Sequence, residues 1–233
     1  MLRLAVFVLA CSVLVVGCGG GGSGGSEAQT VIEDEDQRQA EAALLTSADF
    51  PSGWTESGDD DSEDGADVSD APCFEDIQPD LSELTVTGHA ESGNFETDDA
   101  WVSSTTSVYR TEEEAQEAFD GGRDVLQSDD LAACFGDVFA EAMAAEENDV
   151  EIEVGEASTS EVTLPDVGAQ QSAALRVEIP LDVEGQAASA YVEFIGLEEG
   201  RTIGSLLTFS FVTPFPAEET ERLAGIMADR LGG

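Results

Sequence analysis

The 233-residue chain contains no lysine and only one histidine, and all eight of its basic residues are arginine. Against 51 acidic residues they leave a formal net charge of −43. Nucleic-acid binding depends on basic side chains that neutralise phosphates, so this composition excludes nucleic-acid partners. Anionic lipid headgroups are repelled for the same reason. We interpret the excess acid as a solvated surface suited to saline or alkaline surroundings, in preference to an acidic binding surface.

The chain also lacks the short motifs of common enzyme classes. Outside the glycine-rich residues 17–26 there is no G-x-S-x-G, no P-loop and no G-x-G-x-x-G. The one candidate base, His89 in TVTGHAES, lies near the end of a predicted strand. A lone histidine in such a place is usually structural or solvated. We therefore predict no catalytic residues and no cofactor, and an envelope hydrolase is the third of three functional hypotheses.

Carboxylates are abundant enough to raise the question of calcium. In the acidic run DDDSEDGAD an EF-hand loop would place Asp60, Ser62, Asp64 and Gly65 at positions 1, 3, 5 and 6. Position 12, which requires a bidentate glutamate, falls on Ala71. The run is therefore interpreted as a solvated acidic loop, and no metal site is predicted.

No apolar run reaches the roughly 20 residues needed to span a bilayer. The apolar stretch from Leu4 to Val16 instead suits the core of a secretory signal peptide. It ends in VVGC, which resembles the lipobox of bacterial lipoproteins. In that family the signal is cleaved between the residues that correspond to Gly17 and Cys18, and the cysteine sulfur carries a diacylglyceryl group. The GGGGSGGS that follows Cys18 is a flexible tether.

These features predict a division of the chain into three parts. Residues 1–17 form the signal peptide, residues 18–36 form the lipidated cysteine with a Gly/Ser and acidic tether, and residues 37–233 form a single domain. The lipid, and no transmembrane helix, would hold this domain at the extracytoplasmic face of the cell membrane.

Cysteine is scarce, and each of the four has an assigned role. Cys11 leaves with the signal and Cys18 receives the lipid, so Cys73 and Cys134 remain. In an oxidising compartment they are predicted to form one disulfide that closes a loop of about 60 residues. The alternatives are poorly supported, because a redox pair normally has the spacing C-x-x-C and a zinc site needs further cysteine or histidine ligands.

Hydrophobic periodicity predicts helices at both ends and in the middle of the domain. The first places Ala40, Ala43 and Leu44 on one side and ends before Pro51, after which Trp54 is expected to anchor the core. A T-x-x-E capping box at Thr111 opens the second. The others follow Asp129-Asp130, with Cys134 on the apolar face, and occupy AEETERLAGIMADRL at the C-terminus.

The remaining segments alternate between apolar and polar residues, as strands do. They are 84–91, 100–110, 150–154, 173–183, 188–197 and 202–213. Short turns at Glu184-Gly185-Gln186 and Glu198-Glu199-Gly200 separate the last three. The predicted fold is α+β: a single domain with an antiparallel meander, one face of which is covered by amphipathic helices, and one disulfide.

Several segments together resemble exported sensor-type lipoproteins of high-GC Gram-positive bacteria. They are ALLTSADFPSGWTE, the helix with a central cysteine, the strand AALRVEI and the terminal FPAEETERLAGIMADRL. Relatives of that group include PknH-like extracellular sensor domains and LpqN-like lipoproteins with a PsbP-like α/β/α sandwich. The resemblance implies a ligand-sensing or accessory envelope protein, and it brings no catalytic residues.

Three functions follow from these expectations. The first is a lipid-anchored, non-enzymatic binding or sensor-type lipoprotein whose partner is an unidentified envelope protein, glycan or lipid. The second is a carrier of a hydrophobic ligand such as a lipid or cell-wall precursor, and the third is the hydrolase. In the carrier, a pocket would be lined by Phe135, Phe139, Phe194, Phe209 and Phe211, which otherwise form ordinary core.

Overall fold

The computed structural model describes residues 28–57, 72–75, 77–128, 130–145 and 152–233. The predicted signal peptide, the lipidation site at Cys18 and the acidic run therefore lie outside the described residues. Within the described residues there are five α-helices: α1 (Asp34–Ala43), α2 (Pro72–Glu75), α3 (Glu112–Leu126), α4 (Asp130–Ala145) and α5 (Ala217–Leu231). A 3-10 turn at Ser47–Asp49 follows α1.

The same residues contain ten strands in one sheet. They are β1 (Gln29–Thr30), β2 (Thr55–Ser57), β3 (Thr85–Glu91), β4 (Asn94–Glu96), β5 (Ala100–Tyr109), β6 (Ile152–Val154), β7 (Ser158–Glu161), β8 (Gln171–Val183), β9 (Gln186–Glu199) and β10 (Thr202–Phe211). The main order is β1-β3-β5-β10-β9-β8-β6, with β4 beside β5, β2 beside β4 and β7 beside β8. The pairs are antiparallel except that β1 runs parallel to β3. The predicted α+β class and the antiparallel meander are confirmed.

The meander is held in register by two tight turns. Val183 pairs with Gln186 across Glu184 and Gly185, which have φ values of 54° and 81°. Positive φ at both central residues matches the right-handed twist of a two-residue hairpin. Glu199 pairs with Thr202 across the next turn, where Gly200 has a φ of 58°. Both predicted hairpins are therefore present.

Helices cover both faces of the sheet, so the prediction of a single covered face was wrong. Phe194 and Leu207 belong to a core cluster that includes residues of α4. Their neighbours Ile195 and Leu206 belong to a second cluster, which includes residues of α5. Successive strand residues point to opposite faces. The nearly continuous apolar run of β9 is therefore the pattern of a strand that is buried on both sides.

The folded domain also begins before residue 37. Gln29 and Thr30 pair with Thr85 and Val86, and α1 starts at Asp34, so residues assigned to the tether belong to the sheet and to the first helix. A two-residue strand is too short to give an alternating pattern, which explains why the sequence did not reveal it.

The capping box at Thr111 forms only in half. The Thr111 hydroxyl accepts the Glu114 N–H at 3.2 Å, as an N-cap should. The Glu114 carboxylate does not return to Thr111; it accepts the N–H of Thr85 at 3.1 Å and pairs with Arg110. The first turn of α3 is thereby fastened to β3.

The predicted disulfide is present between Cys73 and Cys134, whose Cα atoms are 5.5 Å apart. It ties α2 to α4. Phe74 beside it is fully buried and meets Phe135 edge to face, with ring centroids 5.1 Å apart. A four-residue helix has no stability of its own, so the position of α2 depends on the disulfide and on the burial of Phe74 in the core.

Three of the scarce arginines, Arg176, Arg201 and Arg230, join segments that are distant along the chain. Of the seven arginines that the structure describes, six form salt bridges with carboxylates. Arg176 Nε donates to the buried Glu193 at 2.8 Å, and the same carboxylate accepts the Thr220 hydroxyl of α5 at 3.1 Å. A hydrogen bond from Arg201 holds the pKa of the buried Asp36 below its usual range, so this carboxylate joins α1 to the sheet as an anion.

Glu198 is a buried carboxyl without such a cation. Its side chain is 2% exposed, and its Oε2 has no hydrogen-bond partner among the described residues. Burial raises the pKa of Glu198 above its usual range; a hydrogen bond with Gln171 lowers the pKa in part, and the negative charges of Glu199, Glu112 and Asp120 raise it further. The fold therefore favours the neutral acid at this position.

Candidate functional site

A cleft of about 440 Å³ opens at the end of the sheet where β5 begins and β10 ends. Its walls come from the turn after the 3-10 helix, the turn before β5, and the segment that connects β10 to α5. The lining residues are Pro51, Trp54, Thr97, Asp99, Ala100, Ser210, Phe211, Thr213, Pro214, Phe215, Pro216, Glu218 and Glu219. This volume lies in the range of small-molecule sites.

Aromatic rings form one wall of the cleft. Trp54 is half-buried and meets Phe215 edge to face, with ring centroids 6.1 Å apart. The ring centroid of Phe50 lies 5.0 Å from that of Trp54. Phe50 in turn stacks on Phe95 at 4.4 Å. This packing joins the indole to the core cluster of Phe95 and Phe215, as the sequence predicted for Trp54, while leaving part of its surface open.

The chain leaves β10 through a strained turn beside the cleft. Val212 has a φ of 70°, and the Thr213 N–H donates to the Phe211 carbonyl at 2.8 Å. This is a γ-turn with a positive central φ, which is rare and costly for a β-branched residue. The Val212 N–H is held by the Ser189 carbonyl at 2.8 Å, and its side chain is 69% exposed. Strain of this kind is concentrated at functional sites.

The polar side chains of the cleft lining are three hydroxyls, of which only that of Ser210 is buried, and three carboxylates. Ser210 is 5% exposed, and its Oγ has no hydrogen-bond partner in the described part of the chain. Glu219 is satisfied by Arg222, with Nη2 and Oε1 2.6 Å apart, and this hydrogen bond lowers the pKa of Glu219. Asp99 and Glu218 are exposed, and their carboxylates have no partner within the described residues. The cleft can therefore both accept hydrogen bonds and pack against an apolar group.

A serine, a histidine and a glutamate also come together, at the pairing of β3 with β5. His89 Nδ1 lies 3.0 Å from Ser107 Oγ, and His89 Nε2 lies 3.0 Å from Glu91 Oε1. The hydrogen bond to His89 lowers the pKa of Glu91. Ser107 is fully buried, so a substrate carbonyl has no route to its hydroxyl. The arrangement fastens two strands and supports the structural interpretation of His89.

The five phenylalanines proposed for a carrier pocket are indeed neighbours. Phe135 lies 5.1 Å from Phe194, and Phe209 lies 4.7 Å from Phe211. Four of them, Phe135, Phe139, Phe194 and Phe209, are at most 5% exposed within one core cluster. Phe211 alone of the five lines the cleft. The pocket they would form between sheet and helices stays a prediction.

Two further features concern metals and membranes. In the part of the chain that the structure describes, no group of three or more His, Cys, Asp or Glu side chains is placed to hold a metal ion. Across the same residues, none of the helices has the length and apolar character required to cross a bilayer. The predicted lipidation site at Cys18 and the acidic run lie beyond these residues.

Sequence reasoning missed most of the cleft. Ser210 and Val212 stand in a predicted strand and its exit, and nothing in a local pattern distinguishes an unpaired buried hydroxyl from a paired one. One signal was available in TPFP, which directly follows an apolar strand. Pro214 and Pro216 have no backbone N–H to donate, so they end the strand and indicate an irregular connection at this point.

Comparison with known proteins gives little. No family model matches the chain, and no curated protein matches it significantly. Among solved structures, the chain is similar to the extracellular domain of PknH from Mycobacterium tuberculosis, with 9% sequence identity and a TM-score of 0.41. The match covers 84% of this chain and 95% of that domain. A likeness at this level carries no argument about fold or function.

Proposed function

We propose that this chain is a lipid-anchored, non-enzymatic binding or sensor-type lipoprotein on the extracytoplasmic face of the cell membrane, and that the cleft is its ligand site. The observation that carries the proposal is the cleft itself, in which the half-buried Trp54 presents part of its indole beside the carboxylates of Asp99 and Glu218. A few polar groups in a largely apolar concavity are the usual composition of a binding site.

The strained turn gives independent support. A closely packed core would not need Val212 in a conformation that β-branched residues avoid. The turn delivers Phe211 and Thr213 to the cleft and then leads into α5, which begins at Ala217. Strain retained at the rim of a concavity suits a rigid, preformed site.

The anchor is proposed on sequence grounds and has its own test. We expect Cys18→Ala to abolish incorporation of a radiolabelled fatty acid and to remove the protein from the membrane fraction, because the lipid is its attachment. Cys11→Ala is the matched control, since this cysteine would leave with the signal and lipid incorporation should be unchanged. Labelling that persists in Cys18→Ala would contradict the lipoprotein assignment.

The binding site is tested with a neutral probe, 4-phenylbutan-1-ol, and the purified full-length exported protein. We expect saturable binding at one site by calorimetry, accompanied by a change in tryptophan emission. Trp101 is 1% exposed, so the emission change reports Trp54. Trp54→Ala should weaken binding about tenfold, because an aromatic contact is lost.

The control for that substitution is Val31→Ala, which shortens an exposed apolar side chain that does not line the cleft. Its affinity for the probe should equal that of the unmodified protein. Equal losses of probe affinity in the two variants would refute the cleft as the ligand site.

A further inference from the structure

The described lining of the cleft contains three carboxylates and no basic side chain. Arg222, which lies outside the lining, neutralises Glu219 and also donates to the Asp49 carbonyl at 2.7 Å. Asp99 and Glu218 remain without a countercharge. An anionic ligand would therefore meet uncompensated like charges, and the acidic surface of the whole protein adds to that repulsion.

The aromatic wall favours the same sign of ligand charge. The face of an indole carries negative potential, which attracts an ammonium or guanidinium group within about 6 Å of the ring. Trp54 is held in place by Phe215 and Phe50, so its exposed surface is presented without further ordering. A neutral ligand would gain the packing but neither the cation–π contact nor the attraction of the carboxylates.

We propose that the cleft binds a small organic cation: an ammonium or guanidinium group carried on an apolar or aromatic body. The charged end lies between the indole of Trp54 and the carboxylates of Asp99 and Glu218. The apolar body packs against the prolines of the lining. This inference rests on the proposed function, because it names the chemical class of ligand for the same site.

The test uses three probes with one body and different terminal charges: 4-phenylbutan-1-amine, 4-phenylbutan-1-ol and 4-phenylbutanoate. Calorimetry and Trp54 emission should show the amine binding about tenfold more tightly than the alcohol, a difference of the size that cation–π and ion-pair contacts supply. The butanoate should bind more weakly than the alcohol. Raising the salt concentration from 0.05 to 0.5 M should reduce the preference for the amine, because exposed carboxylates are screened.

Paired variants separate the cleft from the general charge of the protein. In Asp99→Asn/Glu218→Gln the preference for the amine should shrink to the part that the contact with Trp54 supplies, while the affinity for the alcohol is unaffected. The matched control is Asp124→Asn/Glu161→Gln, which removes the same two charges from exposed positions outside the cleft. This control should keep the preference for the amine.

The outcomes distinguish the two proposals. Equal binding of amine and alcohol, or equal loss of the preference in both double variants, would overturn the cation inference and leave the binding site standing. Failure of all three probes to bind would overturn the proposed function together with the inference.

Discussion

Removal of the Cys73–Cys134 disulfide is expected to lower the free energy of unfolding by about 4 kcal/mol, because the bond closes a loop across 61 residues in the unfolded chain. For a domain of this size that corresponds to a fall in melting temperature of roughly 8–16 °C. The measurement is thermal unfolding of the exported protein with and without dithiothreitol, compared with a Cys73→Ala/Cys134→Ala variant.

The Cys73→Ala/Cys134→Ala variant also controls for effects of dithiothreitol other than reduction of this disulfide. It should melt at the temperature of the reduced protein and should not respond to dithiothreitol. Local loss is expected at α2, which without the bond is held in the core through the buried Phe74. A melting temperature that does not change on reduction would show that the loop is already restricted in the unfolded chain.

The second large effect is expected at Glu198. Glu198→Gln should stabilise the protein at neutral and alkaline pH by about 1–3 kcal/mol, because it replaces an unsatisfied buried acid by a neutral side chain of the same shape. The pKa of the folded-state carboxyl is raised by burial, so the unfolded chain loses its proton first as the pH increases. The unmodified protein therefore loses stability as the pH rises from the ordinary glutamate pKa to the raised one.

The advantage of the variant should accordingly be small in acid and grow with pH. Thermal melts between pH 4 and pH 9 measure it. Glu117→Gln is the matched control, because it removes one exposed carboxylate from α3 and should change the melting temperature little at any pH. A constant difference between Glu198→Gln and the unmodified protein across this range would contradict the assignment of a raised pKa.

Most regular elements were predictable because their signals are local. Thr111 marks the start of α3, and the AEETERLAGIMADRL segment coincides with α5 from Ala217 to Leu231. The disulfide followed from counting cysteines, once Cys11 and Cys18 had other assignments. Each of these inferences needs only the periodicity or chemistry of neighbouring residues.

The faces of the sheet and the cleft were less accessible, because both depend on contacts between distant segments. Whether Ile195 is buried depends on α5, which begins more than twenty residues later. The cleft combines Trp54, Asp99 and Ser210 from three separate turns and strand ends. A pattern read along the chain gives no distance between such residues. It therefore placed Trp54 at the core and Ser210 in a strand, as the structure does, but could not bring them to one cleft.

The arginine salt bridges affect how readily trypsin-like proteases can cleave the domain. A trypsin-like enzyme must draw a lysine or arginine side chain into its specificity pocket, and this chain has no lysine. Six of the seven arginines in the described residues are already paired with carboxylates, and Arg201 and Arg230 also bind backbone carbonyls. Cleavage at Arg201 or Arg230 therefore requires local opening of the fold, so digestion there is governed by the stability of the domain.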